Sequence, residues 1–158
     1  MMLRSLSLAR GDVVLAVFPF ADLSSTKRRP AIIIGVDAAL GDFTLAFITS
    51  RQAASVGADE VAILPLHPEF LATGLSVPSK IRAGKLVTLA PRMLTRRLGS
   101  LGPLLTTDFD RALLTALSIS IDRFQEEGRH TERERLIALY RAGGSAALSA
   151  DLNLPASL

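Results

Sequence analysis

The stretch Pro30–Val36, PAIIIGV, decides the fold class of this chain. It is apolar throughout and rich in β-branched residues, and its length is that of a strand rather than a helix. A run with no polar alternation predicts a strand that is buried on both faces of a sheet. We expect Pro30 to open the strand, because proline cannot donate to a strand ladder.

Further strands are predicted on both sides of this one. Gly11-Asp12 leads into the first, which Pro19 ends, and Thr49-Ser50 follow the third. Short, closely spaced strands of this kind predict a curled sheet or a small barrel. The predicted strands besides 31–36 are Val13–Phe18, Phe43–Ile48, Val61–Leu64 and Lys80–Leu89.

The pattern becomes helical in the second half of the chain. Thr107-x-x-Asp110 predicts a helix N-terminus and Gly128 predicts its end. The apolar positions at helical spacing are Phe109, Leu113, Leu114, Leu117, Ile121 and Phe124. We therefore expect an α+β fold, mainly β, in which helices follow an SH3-like or CcdB/PemK-like curled sheet or barrel.

A second capping box, Thr131 with Glu134, predicts another helix over 131–142. Gly143-Gly144 would end it, and a tail rich in small residues follows. We expect one domain over 1–128, with 129–158 as an additional helix and flexible tail rather than a separate domain.

The composition limits the kinds of protein that this chain can be. Hydrophobic residues make up 49% of its 158 residues, which favours an oligomer with part of its surface covered. Cysteine is absent, which excludes disulfides, thiolate metal sites and a cysteine nucleophile and fits the cytoplasm. No apolar run reaches the roughly 18 to 20 residues that a membrane span needs, so we expect no membrane association.

Three segments carry residues that suit a polyanion. Lys27-Arg28-Arg29, in a predicted loop before Pro30, would place guanidinium groups at the rim of the sheet, where they can bind phosphate. Thr49 and Ser50 offer hydroxyls to a phosphate oxygen or a ribose 2'-OH. Ordinary explanations remain open, since short basic runs are usually solvated loops and strand ends often carry Ser or Thr.

The third segment is Ser79–Lys85, SKIRAGK. Lys80 and Arg82 are two apart and therefore share one face of a strand, and Lys85 follows a bend at Gly84. Such a basic stripe could follow a nucleic-acid strand, or it could simply keep an exposed strand soluble.

No pattern in the sequence calls for a cofactor. His67 and His130 have no partner at metal-ligand spacing, so we expect both at the surface. A glycine-rich phosphate loop, a nucleophile elbow and an HExxH motif are all absent. We therefore predict neither a metal nor a nucleotide cofactor.

Taken together and in order, several of these segments resemble the MazF/PemK family of toxins. The likeness runs from about Arg10 to Phe124. It implies a compact, barrel-like sheet, a homodimer and an RNA site in a groove near the dimer interface. The segments that carry it are Gly11-Asp12-Val13-Val14, Phe18-Pro19-Phe20, Lys27-Arg28-Arg29-Pro30-Ala31, Ile48-Thr49-Ser50, Pro78–Arg82 and Lys85–Leu89.

The resemblance implies roles for particular residues. Arg29 and Thr49 match the catalytic arginine and threonine of the family. Arg82 matches an arginine that, in some members, is followed two residues later by an acid/base aspartate, and Gly84 stands at that place here. The supporting substrate contacts would be Lys27, Arg28, Ser50, Ser79, Lys80 and Lys85.

The family resemblance also implies an activity and partners. The activity would be metal-independent, sequence-specific cleavage of single-stranded mRNA, by 2'-OH attack, to 2',3'-cyclic phosphate and 5'-OH ends. The partners would be RNA, a second copy of the chain and a cognate antitoxin with an acidic, disordered segment. Two other functions stay open: a non-catalytic module that binds nucleic acid or gyrase, and a purely structural domain.

Overall fold

The computed structural model describes residues 7–18, 27–120 and 131–143. The chain forms two compact units, Met1–Ile119 and Ser120–Leu158. The first unit holds a six-stranded sheet in which every pairing is antiparallel, in the order β4-β5-β3-β2-β1-β6. The strands are β1 (Asp12–Val17), β2 (Arg28–Val36), β3 (Phe43–Thr49), β4 (Glu60–Ile63), β5 (Ser79–Leu89) and β6 (Leu94–Ser100). The expected α+β, mainly β fold is confirmed.

Strand β2 lies in the middle of the sheet and is longer than predicted. It begins at Arg28 rather than after Pro30, so Arg28 and Arg29 belong to a strand and not to a loop. Pro30 is tolerated inside β2 because its pairing with β3 starts only at Ala31, opposite Phe47.

The sheet is buried on both faces around β2. Ile32 packs into one apolar cluster, together with Ile48, Ile81 and residues of the following helix. Ala31 and Ile33 pack into a second cluster on the other face. The predicted two-sided burial is therefore confirmed for residues 31–33, whereas Val36 at the strand's end is exposed.

The sequence analysis missed β6. Its sequence, LTRRLGS, places Arg96 and Arg97 side by side and interrupts any apolar alternation. The strand is an edge strand that, among the described strands, pairs with β1 alone, with two irregularities in its register. An edge strand of this kind needs little apolar character, because much of it faces solvent.

Helix α1 spans Pro103–Ala116, so the predicted start at Thr107 is wrong. Thr107 lies inside the helix, where its Oγ1 donates to the Pro103 carbonyl at 2.9 Å. The N-terminus is capped from a distance: the Glu69 carboxylate accepts the N–H groups of Leu104 and Leu105 at 2.9 and 2.8 Å. A Cβ at Gly102 would lie 2.3 Å from Glu69 Cδ, so glycine leaves the space that this cap needs.

The helix ends earlier than its apolar spacing predicts. Leu117 is already the C-cap and Ser118 has a φ of 55°. The predicted positions Ile121, Phe124 and Gly128 lie outside the described residues, as do the predicted domain boundary at 128 and the tail after 143.

A second helix, α2, spans 131–143 in the second unit, where the capping box predicted 131–142. No helix in the described parts of either unit is long and apolar enough to cross a membrane.

Candidate functional site

A cavity of about 870 Å³ lies where β2 begins and β3 ends. Arg28 and Arg29 of β2 and Thr49 of β3 line it, and so does Arg82 of β5. Most of the residues predicted from the sequence therefore lie around one space. The other predicted residues that line the cavity are Lys27, Ser50, Ser79 and Lys85.

Strand geometry explains why Arg29 and Thr49 line the same cavity. Ala31 of β2 pairs with Phe47 of β3 at the end of an antiparallel ladder, and Arg29 and Thr49 each lie two residues beyond that pair. Residues two apart on a strand share a face, and so do paired residues of neighbouring strands, so the side chains of Arg29 and Thr49 lie on the face of Phe47. Phe47 is paired with Arg82 on its other side, so Arg82 shares that face.

The cavity lining is strongly basic. Within the part of the chain that the structure describes, no Asp, Glu or His lines it. His67 lies elsewhere, half-buried, with its Nδ1 accepting the Glu69 N–H at 3.1 Å, and His130 is outside the described residues. Cations that line a concave surface attract a polyanion. The basic lining residues are Lys27, Arg28, Arg29, Arg51, Arg82, Lys85 and Arg96, and all are exposed.

The two hydroxyls at the site differ in what they can still donate. Thr49 Oγ1 accepts the backbone N–H of Arg51 at 3.2 Å, which leaves its own hydroxyl proton for a ligand. Ser79 is buried, and its Oγ donates to the Val77 carbonyl at 2.9 Å. Thr49 is therefore the better donor to a bound phosphate.

Lys80 does not line the cavity, although the alternation of β5 predicted that it would accompany Arg82. Its side chain is buried, and Nζ donates to Glu60 Oε2 at 2.8 Å and to the Ser55 carbonyl at 2.7 Å. Both acceptors hold the ammonium inside the protein. We therefore withdraw Lys80 from the predicted substrate contacts and assign it a structural role.

The surroundings of Glu60 favour its ionised form. The hydrogen bond from Lys80 is the main cause that lowers its pKa below the ordinary value, and the N–H of Gly57 and the charge of Arg82 add to it. Burial acts in the opposite direction and is outweighed. The carboxylate thus stays charged beside the two cations of β5.

Gly84 lies in a bulge. The β3–β5 ladder passes from Ala46–Leu86 directly to Phe47–Arg82, so residues 83–85 project from it. A Cβ at position 84 would lie 2.9 Å from Asp59 Oδ2. A larger residue at this position would therefore require the Asp59 side chain to move.

Sequence reasoning missed several lining residues. Arg51 directly follows Thr49-Ser50, so its basic side chain was a usable signal, whereas Arg96 belongs to the missed strand β6. Phe18 and Phe47 also line the cavity, with ring centroids 4.3 Å apart and an angle of 27° between the ring planes. The site therefore combines cations with an aromatic surface.

Solved structures share this fold. An endoribonuclease from Mycobacterial species, in complex with its cognate antitoxin, is 20% identical with a TM-score of 0.56, over 72% of this chain and 98% of that one. The Mycobacterium tuberculosis toxin MazF-mt6 is 21% identical with a TM-score of 0.55, over 69% and 98%. MazF from Deinococcus radiodurans is 24% identical with a TM-score of 0.50, over 70% and 94%. At these identities the likeness establishes the fold.

The sequence itself establishes more than the structural likeness. No curated protein matched it. Residues 9–117, however, match the family described as PemK-like, MazF-like toxins of type II toxin-antitoxin systems. This match covers all six strands and α1, and thus every described residue that lines the cavity. The chain therefore belongs to the PemK-like, MazF-like toxin family.

Proposed function

We propose that this protein is a toxin endoribonuclease that cleaves single-stranded RNA, above all mRNA, without a metal ion. The observation that carries the proposal is the meeting of Arg29, Thr49 and Arg82 around one basic cavity with no acidic residue in its described lining. Family membership and the endoribonuclease named among the structural neighbours support it.

The reaction we propose is an internal phosphoryl transfer. The ribose 2'-oxygen attacks the adjacent phosphorus, and the bond from phosphorus to the 5'-oxygen breaks. The 2'-OH loses its proton and the leaving 5'-oxygen gains one, which gives a 2',3'-cyclic phosphate and a 5'-OH end. Negative charge builds on the non-bridging oxygens in the transition state, where fixed donors lower the barrier most.

Arg29 and Arg82 suit this task because guanidinium groups stay charged and donate in a planar fork. Thr49 supplies a neutral donor. Each fixed donor of this kind lowers the barrier by on the order of 3 kcal/mol, which raises the rate about a hundredfold. We assign the arginines an electrostatic role, since a group with so high a pKa transfers protons poorly near neutral pH.

The shape and chemistry of the cavity favour a single strand over a duplex. Phe47 is half-buried beside Phe18 and offers an apolar surface against which an unpaired base can pack. Arg28, Arg51 and Arg96 line the same cavity and can bind the phosphates of that strand. In a duplex the bases are stacked inside and cannot reach such a surface.

The proposal includes two protein partners. The basic cavity suits an acidic, disordered antitoxin segment that folds as it binds, in keeping with the neighbour solved with its cognate antitoxin. A second copy of the chain would cover exposed leucines such as Leu40, Leu66 and Leu71. The toxin would act in the cytoplasm, where mRNA is translated.

The direct test is incubation of the purified protein with a long single-stranded RNA in EDTA, followed by mapping of both new ends. We expect cuts that leave 2',3'-cyclic phosphate and 5'-OH ends and that recur at one short sequence. Intact RNA at high protein excess, or cleavage that stops with EDTA, would contradict the proposal.

A second candidate is an RNA-binding module without catalysis. It is favoured by one observation: no carboxylate or imidazole in the described lining is available to take the 2'-OH proton. The same assay separates the two functions, because such a module would bind the RNA, shift its mobility and leave it uncut.

A further inference from the structure

Glu60 of β4 joins two basic residues of β5 in one network. Its Oε1 accepts from Arg82 Nε at 3.2 Å, and its Oε2 accepts from Lys80 Nζ at 2.8 Å. Glu60 and Arg82 are paired across the β4–β5 ladder, which puts both side chains on one face. The N–H of Gly57 donates to Oε2 at 3.1 Å and further fixes the carboxylate.

Exposure changes sharply along this network. The side chains of Lys80 and Glu60 are 9% and 13% exposed, whereas that of Arg82 is 44% exposed. Of the three, Arg82 alone is among the described residues that line the cavity. The network therefore extends from the protein interior to the proposed site.

The contact with Glu60 leaves Arg82 able to bind a ligand. The hydrogen bond uses Nε, and within the described part of the chain no acceptor bonds to the two Nη groups. Because a guanidinium is planar and rigid, fixing Nε also fixes the direction in which the Nη groups donate.

Lys80 makes the net charge of the network positive. A carboxylate paired with Arg82 alone would cancel the charge that a phosphate needs. With the Lys80 ammonium on the other carboxylate oxygen, one negative and two positive groups leave a net positive charge, and the exposed member carries it toward the cavity.

We propose that Glu60 is a positioning residue for RNA cleavage, which holds Arg82 so that its Nη groups face the scissile phosphate. This inference rests on the proposed function. Glu60 itself does not touch the substrate, so its contribution passes through Arg82.

The chain offers a matched control in Asp12 and Arg97. Asp12 Oδ1 accepts from Arg97 Nε at 2.9 Å, and the two side chains are 10% and 40% exposed, much like Glu60 and Arg82. Neither residue lines the cavity. Asp12→Asn therefore removes a similar ion pair from an arginine that does not line the cavity.

The test is a double-mutant cycle on cleavage of a long single-stranded RNA, with kcat and KM measured for the parent, E60Q, R82A and E60Q/R82A, and with D12N beside them. We expect E60Q to lower kcat about tenfold or more with little change in KM. In the R82A background the same change should cost less than about twofold, since its target is gone. D12N should cleave like the parent.

Other results would overturn the inference. If the parent cleaves RNA but E60Q lowers kcat equally in both backgrounds, Glu60 does not act through Arg82. The same conclusion follows if D12N lowers kcat as much as E60Q does. A parent that leaves RNA intact would instead refute the nuclease proposal itself. If E60Q fails to fold because Lys80 loses its counter-ion, the cycle is repeated with Lys80→Met in all four proteins, and the same two patterns decide it.

Discussion

Arg29 and Thr49 line the same cavity from neighbouring antiparallel strands, each two residues beyond the pair Ala31–Phe47 at which the β2–β3 ladder ends. Both are side chains on sheet strands rather than on long loops. A sheet holds its side chains more precisely than a loop does, which is what fixed donors to a transition state require. The predictions below follow from this arrangement and from the contacts around it.

Removing the hydroxyl at position 49 should slow RNA cleavage while leaving the fold intact. Thr49→Val keeps the shape of the side chain but cannot donate, so we expect kcat to fall about a hundredfold. Thr49→Ser keeps the donor and should retain most of the rate. Gel-based kinetics check both, and a valine variant that cuts as fast as the serine variant would show that the hydroxyl has no part in the reaction.

Arg51 and Arg96, which sequence reasoning missed, should contribute to RNA affinity through phosphate contacts. Replacing either with alanine should weaken binding and reduce the slope of log Kd against log salt by about 0.7, the value for one phosphate of a single strand. Arg111→Ala on α1 is the control, since Arg111 is 74% exposed and lies outside the cavity. An unchanged slope in both cavity variants would contradict phosphate contacts there.

The cap that Glu69 provides to α1 should raise the free energy of unfolding. Glu69→Gln removes the charge at the helix N-terminus, and Gly102→Ala pushes Glu69 out of its position. Each change should lower the free energy of unfolding by about 1 kcal/mol. Because both changes remove the same contact, the double variant should lose little more than either single one. Urea unfolding measures all three, and fully additive losses would argue against a shared cause.

The Glu60 network should make stability depend on pH. The folded-state pKa of Glu60 lies below the ordinary value of 4.5, so the unfolded chain takes up the proton first as the pH falls. The stabilisation is thus complete above pH 4.5 and is lost as the pH falls through the lowered pKa. Melting temperatures of the parent and of Glu60→Gln, measured from about pH 7 to about pH 3, should converge at the acid end. A difference between the two melting temperatures that stays constant over this pH range would contradict a contribution from ionised Glu60.

The sequence predicted the centre of the fold better than its edges. Pro30–Val36 and Phe43–Ile48 are apolar enough to be recognised as strands, because burial on both faces leaves little room for polar residues. Strand β6 was not predicted, because an edge strand tolerates residues such as Arg96 and Arg97 that interrupt the apolar pattern. The start of α1 was misplaced because its capping carboxylate, Glu69, comes from a distant loop that no local pattern reveals.

The same distinction holds at the candidate site. The family resemblance predicted that Arg29 and Thr49 belong to one site, and no periodicity in the sequence does so. Alternation along β5 gave Lys80 and Arg82 the same face, which is correct, but it does not reveal that Glu60 of β4 draws Lys80 inward and leaves Arg82 at the cavity. Which of two like charges is buried depends on the neighbouring strand.

The most direct test of the central claim is the single-turnover rate of RNA cleavage by Arg29→Ala, measured beside Arg111→Ala with both proteins shown to be folded. Arg29 is exposed at the cavity, so its loss should leave stability nearly unchanged. We expect the rate to fall about a hundredfold or more in Arg29→Ala and to stay near that of the parent in Arg111→Ala. Equal rates in the two variants would contradict the claim that Arg29 stabilises the reacting phosphate.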